Sequence, residues 1–183
     1  IDEAVAPGYC KHVSTVPKRD LRLEFTEDGL YIVLRKTVSA MSKGGSGSSS
    51  ESGGDGEIKQ TRKLTFNKNF VKDIVQDVEM YKDALDCVES GTVVSVREIY
   101  YGEMHVVINN ENPSNKLIEL RRFYKEDGKF KRNQYGINML HTEFAKVLAL
   151  MQKALGQMKD VQRKVLVSKR KNRVSSHPFI CSE

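Results

Sequence analysis

Residues 116–159 read KLIELRRFYKEDGKFKRNQYGINMLHTEFAKVLALMQKALGQMK. Leu117, Ile118, Leu120, Phe123 and Tyr124 lie in a run from Lys116 to Lys125 that predicts a strand. Glu126-Asp127-Gly128 is a turn signal, and Lys129 to Met139 predicts the returning strand. From Thr142 to Lys159 the period changes. Phe144, Leu148, Met151, Leu155 and Met158 follow one another at steps of four, three, four and three, the stripe of an amphipathic helix.

Working upstream, the same order of elements appears again. Leu21, Leu23 and Phe25 alternate with Arg22 and Glu24, Glu27-Asp28-Gly29 predicts a hairpin turn, and Leu30 to Val38 a second strand. Ile58 to Phe66 predicts a third strand, and Asn67 is an N-cap residue for a helix over 68–89 carrying Phe70, Ile74, Val78, Tyr81 and Leu85. Ser90-Gly91 suits its end. Between the two helices, Thr92 to Tyr100 and Glu103 to Asn109 predict further strands. The fold class read from this pattern is α+β, two repeats of antiparallel sheet followed by an amphipathic helix. The divisions are 1–90, 91–160 and a basic tail, 161–183. The stretch Lys43 to Glu57, KGGSGSSSESGGDGE, holds no apolar residue and is expected to be a flexible loop inside the first unit.

The chain has 183 residues and a net charge of +6. Six bases and no acid lie between 163 and 173, and without them 24 bases face 24 acids. A polyanion would therefore meet a locally basic face rather than a general positive field. Cys10, Cys87 and Cys181 are odd in number and widely spaced, which excludes a disulfide scaffold. Cys10-Lys11-His12 has no second metal-ligand pair to match it. No cofactor or metal is expected, and no apolar run approaches the length of a membrane span. There is no apolar segment of signal-peptide type after Ile1. No nucleophile-elbow, zinc-protease or P-loop motif occurs, and His12, His105, His141 and His177 are scattered, so the reading is not an enzyme.

Arg121 to Arg132, RRFYKEDGKFKR, combines six bases with three aromatic rings. On paired strands Arg122 and Tyr124 share one face, while Arg121, Phe123 and Lys125 share the other. Lys129 and Lys131 share a face on the return strand, with Phe130 and Arg132 opposite. Cations for phosphates and rings for bases are what single-stranded nucleic acid requires. The alternative is a solvated hairpin whose rings pack inward.

Val94-Ser95-Val96-Arg97-Glu98, Leu117 to Tyr124, Asp127-Gly128-Lys129-Phe130-Lys131 and Gly136-Ile137, in that order before a helix, resemble the single-stranded-DNA-binding domain of positive cofactor four. Glu57 to Asn67 resembles the last strand of the same domain. The resemblance spans roughly residues 20–160. It implies curved sheets and, with two copies in one chain, an intramolecular pseudo-dimer whose helices pack together. It also implies contact with nucleic acid through Arg122, Tyr124, Lys129 and Lys131 in the second unit, and Arg35, Lys59, Arg62 and Lys63 in the first. The family's Arg-Lys pair is replaced by Gln134-Tyr135 in the second unit, and its tryptophan by Tyr124.

The function expected is non-enzymatic binding of single-stranded DNA in transcription or replication, coactivator-like and nuclear. Transcription machinery is a further partner, no membrane is involved, and the protein is a monomeric pseudo-dimer or a homodimer. Stacking is expected on Tyr31, Tyr124, Phe130 or Tyr135. RNA binding by the same surface and a protein–protein assembly module are the alternatives. A doubled domain with this loop suits a viral or lineage-specific relative. Lys169 to Arg173 suits a nuclear import signal or an added electrostatic arm.

Overall fold

Alternating apolar residues commit one face of each strand to a core, and the fold follows from closing those faces. The computed structural model describes residues 5–40, 58–91, 97–109 and 117–162. The expected loop at 43–57, the expected strand residues 92–96 and the tail from 163 onward lie outside the described residues. β1 (Cys10–His12), β2 (Arg19–Phe25), β3 (Tyr31–Ala40) and β4 (Ile58–Asn67) pair antiparallel in that order. α1 (Lys68–Gln76) and α2 (Val78–Glu89) follow. β5 (Arg97–Tyr101), β6 (Met104–Asn109), β7 (Leu117–Glu126) and β8 (Lys129–Leu140) form a second antiparallel sheet, and α3 (His141–Leu155) follows it. The fold is α+β, two four-stranded antiparallel sheets with three helices among the described residues.

Leu21, Leu23, Phe25, Ile32, Leu34, Leu64 and Phe66 are the buried face of the first sheet. Met104, Val106, Ile108, Ile118, Leu120, Ile137 and Met139 are that of the second. Both faces and the helices merge into one apolar cluster. α3 packs against α1 and α2, and the rings of Tyr81 and Phe144 meet edge-on at 5.3 Å. At roughly 25 cal/mol per Å² of apolar surface, this shared burial is the main stabilising term.

The helix expected over 68–89 is broken in two. Its start is as expected, with the Asn67 side chain accepting from Phe70 N at 3.0 Å. At Asp77 the backbone turns to φ −94°, ψ 10° and its N–H reaches back to Ile74 and Val75. The Asp77 carboxylate accepts from the Tyr101 hydroxyl at 2.7 Å, and that hydroxyl lies 2.8 Å from Tyr81 Oη. The apolar stripe continues across the break, so periodicity alone did not reveal it. α3 ends at Leu155, short of the expected Lys159, and Lys159 N donates to Gly29 O at 2.8 Å instead.

The two acid-acid-glycine turns differ. Asp127 and Gly128, at φ 52° and 74°, make a two-residue hairpin turn between β7 and β8, whose right-handed twist favours positive φ at both places. Glu27-Asp28-Gly29 lies in a longer turn between β2 and β3. There the Asp28 carboxylate accepts from Thr26 Oγ1 at 2.6 Å and Leu30 N at 2.9 Å. These hydrogen bonds hold its carboxyl below the usual value.

Glu143, fully buried in the first turn of α3, joins the halves. It accepts from Leu140 N at 2.8 Å, from Thr15 N at 3.1 Å, and from the Arg19 guanidinium. A carboxylate out of water needs such complete pairing.

Candidate nucleic-acid interface

The face of the first sheet turned away from the core carries a row of basic residues. His12 pairs with Arg22, Arg22 with Arg35, and Arg35 with Lys63, one residue from each of the four strands in direct register. Like charges directly opposite one another repel. Asp20 relieves one end, with Oδ1 2.8 Å from His12 Nδ1 and Oδ2 accepting from Arg22 Nε at 2.6 Å. Glu24 takes two hydrogen bonds from Arg35, at 3.2 and 3.3 Å. Lys63 forms no ion pair among the described residues. The next outward row is uncharged beyond Asp20, and Thr37 and Thr61 share a hydrogen bond across it at 3.1 Å. Lys59 lies further along the same face of β4.

At the β4 end the row meets the second sheet. Thr61, Arg62 and Lys63 line a 240 Å³ cavity with Gln134, Tyr135 and Gly136. Arg62 points to the opposite face from Lys63, and its Nη1 donates to Gly136 O at 3.3 Å. Lys36 Nζ beside it donates to Asn138 O at 2.9 Å and to Asn138 Oδ1 at 2.6 Å. Partial burial, then the nearby Arg19 and Arg62 charges, hold the Lys36 amine below its ordinary value.

The same position in the second sheet is built differently. Tyr100 pairs with His105, His105 with Arg121, and Arg121 with Gly136. Arg121 lies flat over Gly136, where a Cβ would stand 2.7 Å from its Cζ. Its Nη1 donates to Asn133 O at 2.6 Å, and Glu119 pairs with both Arg121 and Arg132. Burial alone would raise the Glu119 carboxyl, but the two guanidiniums hold it below its ordinary value. The ring of His105 stacks on Phe123 with centroids 3.8 Å apart, and Phe130 comes from the hairpin to cover it.

Of the residues expected at the interface, Arg35, Lys59 and Lys63 share the outer face of the first sheet, and Arg62 faces the other way. Arg122, Tyr124, Lys129 and Lys131 project from the β7–β8 hairpin on the side opposite Phe123 and Phe130, with Tyr124 directly across from Lys131. Lys131 pairs with Glu126. Arg122 borders a 410 Å³ cavity with Thr65 and Asn67 of β4, Asn69 and Asp73 of α1, and Gly102 of the β5–β6 turn. His12 and Arg22 join the cationic row although sequence reading passed them over. They are 51 and 41 residues from Lys63, and only the pairing register, read as His12–Arg22–Arg35–Lys63, reveals them.

Among the described residues no cluster of His, Cys, Asp or Glu could hold a metal ion, and no helix is long and apolar enough to cross a membrane. No family model and no curated protein matches the chain. A solved structure of Trypanosoma bruciei MRP1/MRP2 is similar at 12% identity, with a TM-score of 0.31, over 82% of this chain and 84% of that one. A likeness of that degree carries no argument about function.

Proposed function

We propose that the protein binds single-stranded DNA without catalysis, laying the strand across the outer face of the first sheet and onto the β7–β8 hairpin. The observation that carries this reading is the row His12–Arg22–Arg35–Lys63, three permanent cations and an imidazole in register that run toward the exposed ring of Tyr135. Repulsion within the row is relieved when phosphates lie over it, and the rings beside it accept bases.

The chain is read as two copies of one sheet-plus-helix unit joined as a pseudo-dimer. Reciprocal contacts support this. Lys36 reaches Asn138, two residues before the helix-capping Leu140, and Arg122 lines a cavity with Thr65, two residues before the helix-capping Asn67. The resemblance to positive cofactor four favours a nuclear role in transcription or replication.

The test is anisotropy of a labelled single strand titrated with the full chain over a range of salt. Arg22→Ala, Arg35→Ala and Lys63→Ala together should weaken binding and flatten the salt slope by roughly 0.7 for each phosphate no longer neutralised. Competition by DNA and RNA of equal sequence decides the preferred sugar. Wild-type protein that binds neither strand at low salt overturns the reading.

A further inference from the structure

Arg19, Lys36 and Arg62 lie on the core-side face of the first sheet, at the end where its apolar residues stop. Leu21, Leu34 and Leu64 are buried on that face, and each of the three cations stands two residues from one of them along its strand. Lys36 and Arg62 are direct partners across β3 and β4, and Arg19 is opposite Val38, two residues along β3 from Lys36. Like charges so placed repel. Among the described residues the one acid that acts on the Lys36 amine is Glu143. That buried carboxylate already accepts from Arg19, Leu140 N and Thr15 N. Three positive charges therefore face one negative charge.

Lys36 and Arg62 line a 230 Å³ cavity with Val38, Gln60 and Asn138. At about 30 Å³ per water molecule, such a space takes a small anion with part of its hydration shell. Its lining has two cations, two amides and no acid. Lys36 gives two of its three N–H donors to Asn138 O and Oδ1 and keeps the third. Arg62 uses an N–H of Nη1 on Gly136 O, out of the five that a guanidinium carries. The Asn138 amide accepts through its oxygen, which leaves its NH₂ to donate, and Gln60 brings a second NH₂. The 410 Å³ cavity beside Arg122 is the opposite case, because Asp73 and Glu103 line it as well.

We propose that the cavity between Lys36 and Arg62 binds one tetrahedral oxyanion, a phosphate group, through these two cations and the amides of Asn138 and Gln60. Lys36 and Arg62 come from the first sheet and Asn138 from the second, so the anion ties the two sheets together. Its charge offsets the Arg19 and Arg62 charges that, after burial, hold the Lys36 amine below its ordinary value. The site is on the other face of β4 from Lys63, and it stands whether or not the outer row binds a strand.

The experiment follows thermal unfolding of the full chain in inorganic phosphate and in sodium chloride at equal ionic strength and pH. Phosphate should raise the midpoint above that in chloride, by roughly 3–5 °C for each tenfold increase beyond the dissociation constant. Phosphate also stabilises folded chains in general by exclusion from their surface, so the increment is compared between variants. Lys36→Met and Arg62→Met should each lose most of it, and Arg62→Lys should keep part. Arg62 is exposed, so its variants should fold. The triple variant Arg22→Ala, Arg35→Ala, Lys63→Ala should keep the whole increment. Anisotropy of a labelled strand then identifies the source of the phosphate. Binding weakens in both methionine variants when it belongs to the strand and is unchanged when it is the free ion. Equal increments in wild type and both methionine variants overturn the site and leave the strand reading standing. Loss of the increment in the triple variant alone overturns it too. Failure of wild-type protein to bind any strand overturns the strand reading and leaves this site standing.

Discussion

The rows His12–Arg22–Arg35–Lys63 and Tyr100–His105–Arg121–Gly136 occupy the same place in two sheets, since Lys63 and Gly136 each lie four residues before a helix N-cap. In the first, three members are permanent cations beside His12, and the acids next to them, Asp20 and Glu24, are at least partly in solvent. In the second, the one permanent cation is folded over glycine and held by a half-buried glutamate. Charge in the first row stays at the surface, Arg22 and Arg35 in solvent-screened pairs and Lys63 without an ion pair among the described residues. The charge of Arg121 is held inside, and the rings of Tyr100 and Phe130 lie exposed. One sheet position thus presents charge in one half of the chain and rings in the other.

Substitutions should separate the two. Arg121→Ala leaves Glu119 with only its exposed partner Arg132 and should cost about 2–3 kcal/mol in urea unfolding, whereas Arg35→Ala, a solvent-screened pair, should cost under ~1 kcal/mol. Equal losses would erase the distinction. Gly136→Ala forces Arg121 off its seat and should cost about 1–3 kcal/mol; the double variant Gly136→Ala with Arg121→Ala should show that the penalties are not additive.

The pH dependence should come from the second row. Glu119 titrates below its ordinary 4.5 in the folded protein. Its contribution is therefore complete above the unfolded value and is lost as pH falls through the folded one. Glu119→Gln should flatten stability over that acid range, read by thermal melts at successive pH values. The smallest effect is expected at Lys63. Removing a cation opposite Arg35 relieves repulsion, so Lys63→Ala should leave stability unchanged or raise it by a few tenths of a kcal/mol, while weakening oligonucleotide binding.

Much of the architecture was legible because its cause is local. Alternation placed β2, β3, β4, β7 and β8, the helix stripes placed the helical segments, and Asn67 marked a cap. What escaped depends on contacts distant in sequence. The break at Asp77 is accompanied by a hydrogen bond from Tyr101, 24 residues away. β1 has three exposed residues and no apolar alternation, so only its pairing with β2 defines it. At the candidate site, composition pointed to the Arg121–Arg132 hairpin and alternation sorted its two faces correctly. The cationic row was hidden because its members lie on four separate strands, and their alignment exists only once the register is set.

The buried Glu143 bears on the kinetics of folding. Every neighbouring pair in each sheet is consecutive in the chain, so either sheet can assemble from contacts of short sequence separation. The contact of Glu143 with Arg19 spans 124 residues and can close only when the two sheets dock. We expect docking to follow the main barrier, so weakening the pair should accelerate unfolding and leave the folding rate nearly untouched, which the folding and unfolding rates of Arg19→Ala check. The ion pair then acts as a latch that sets how long the docked halves stay together.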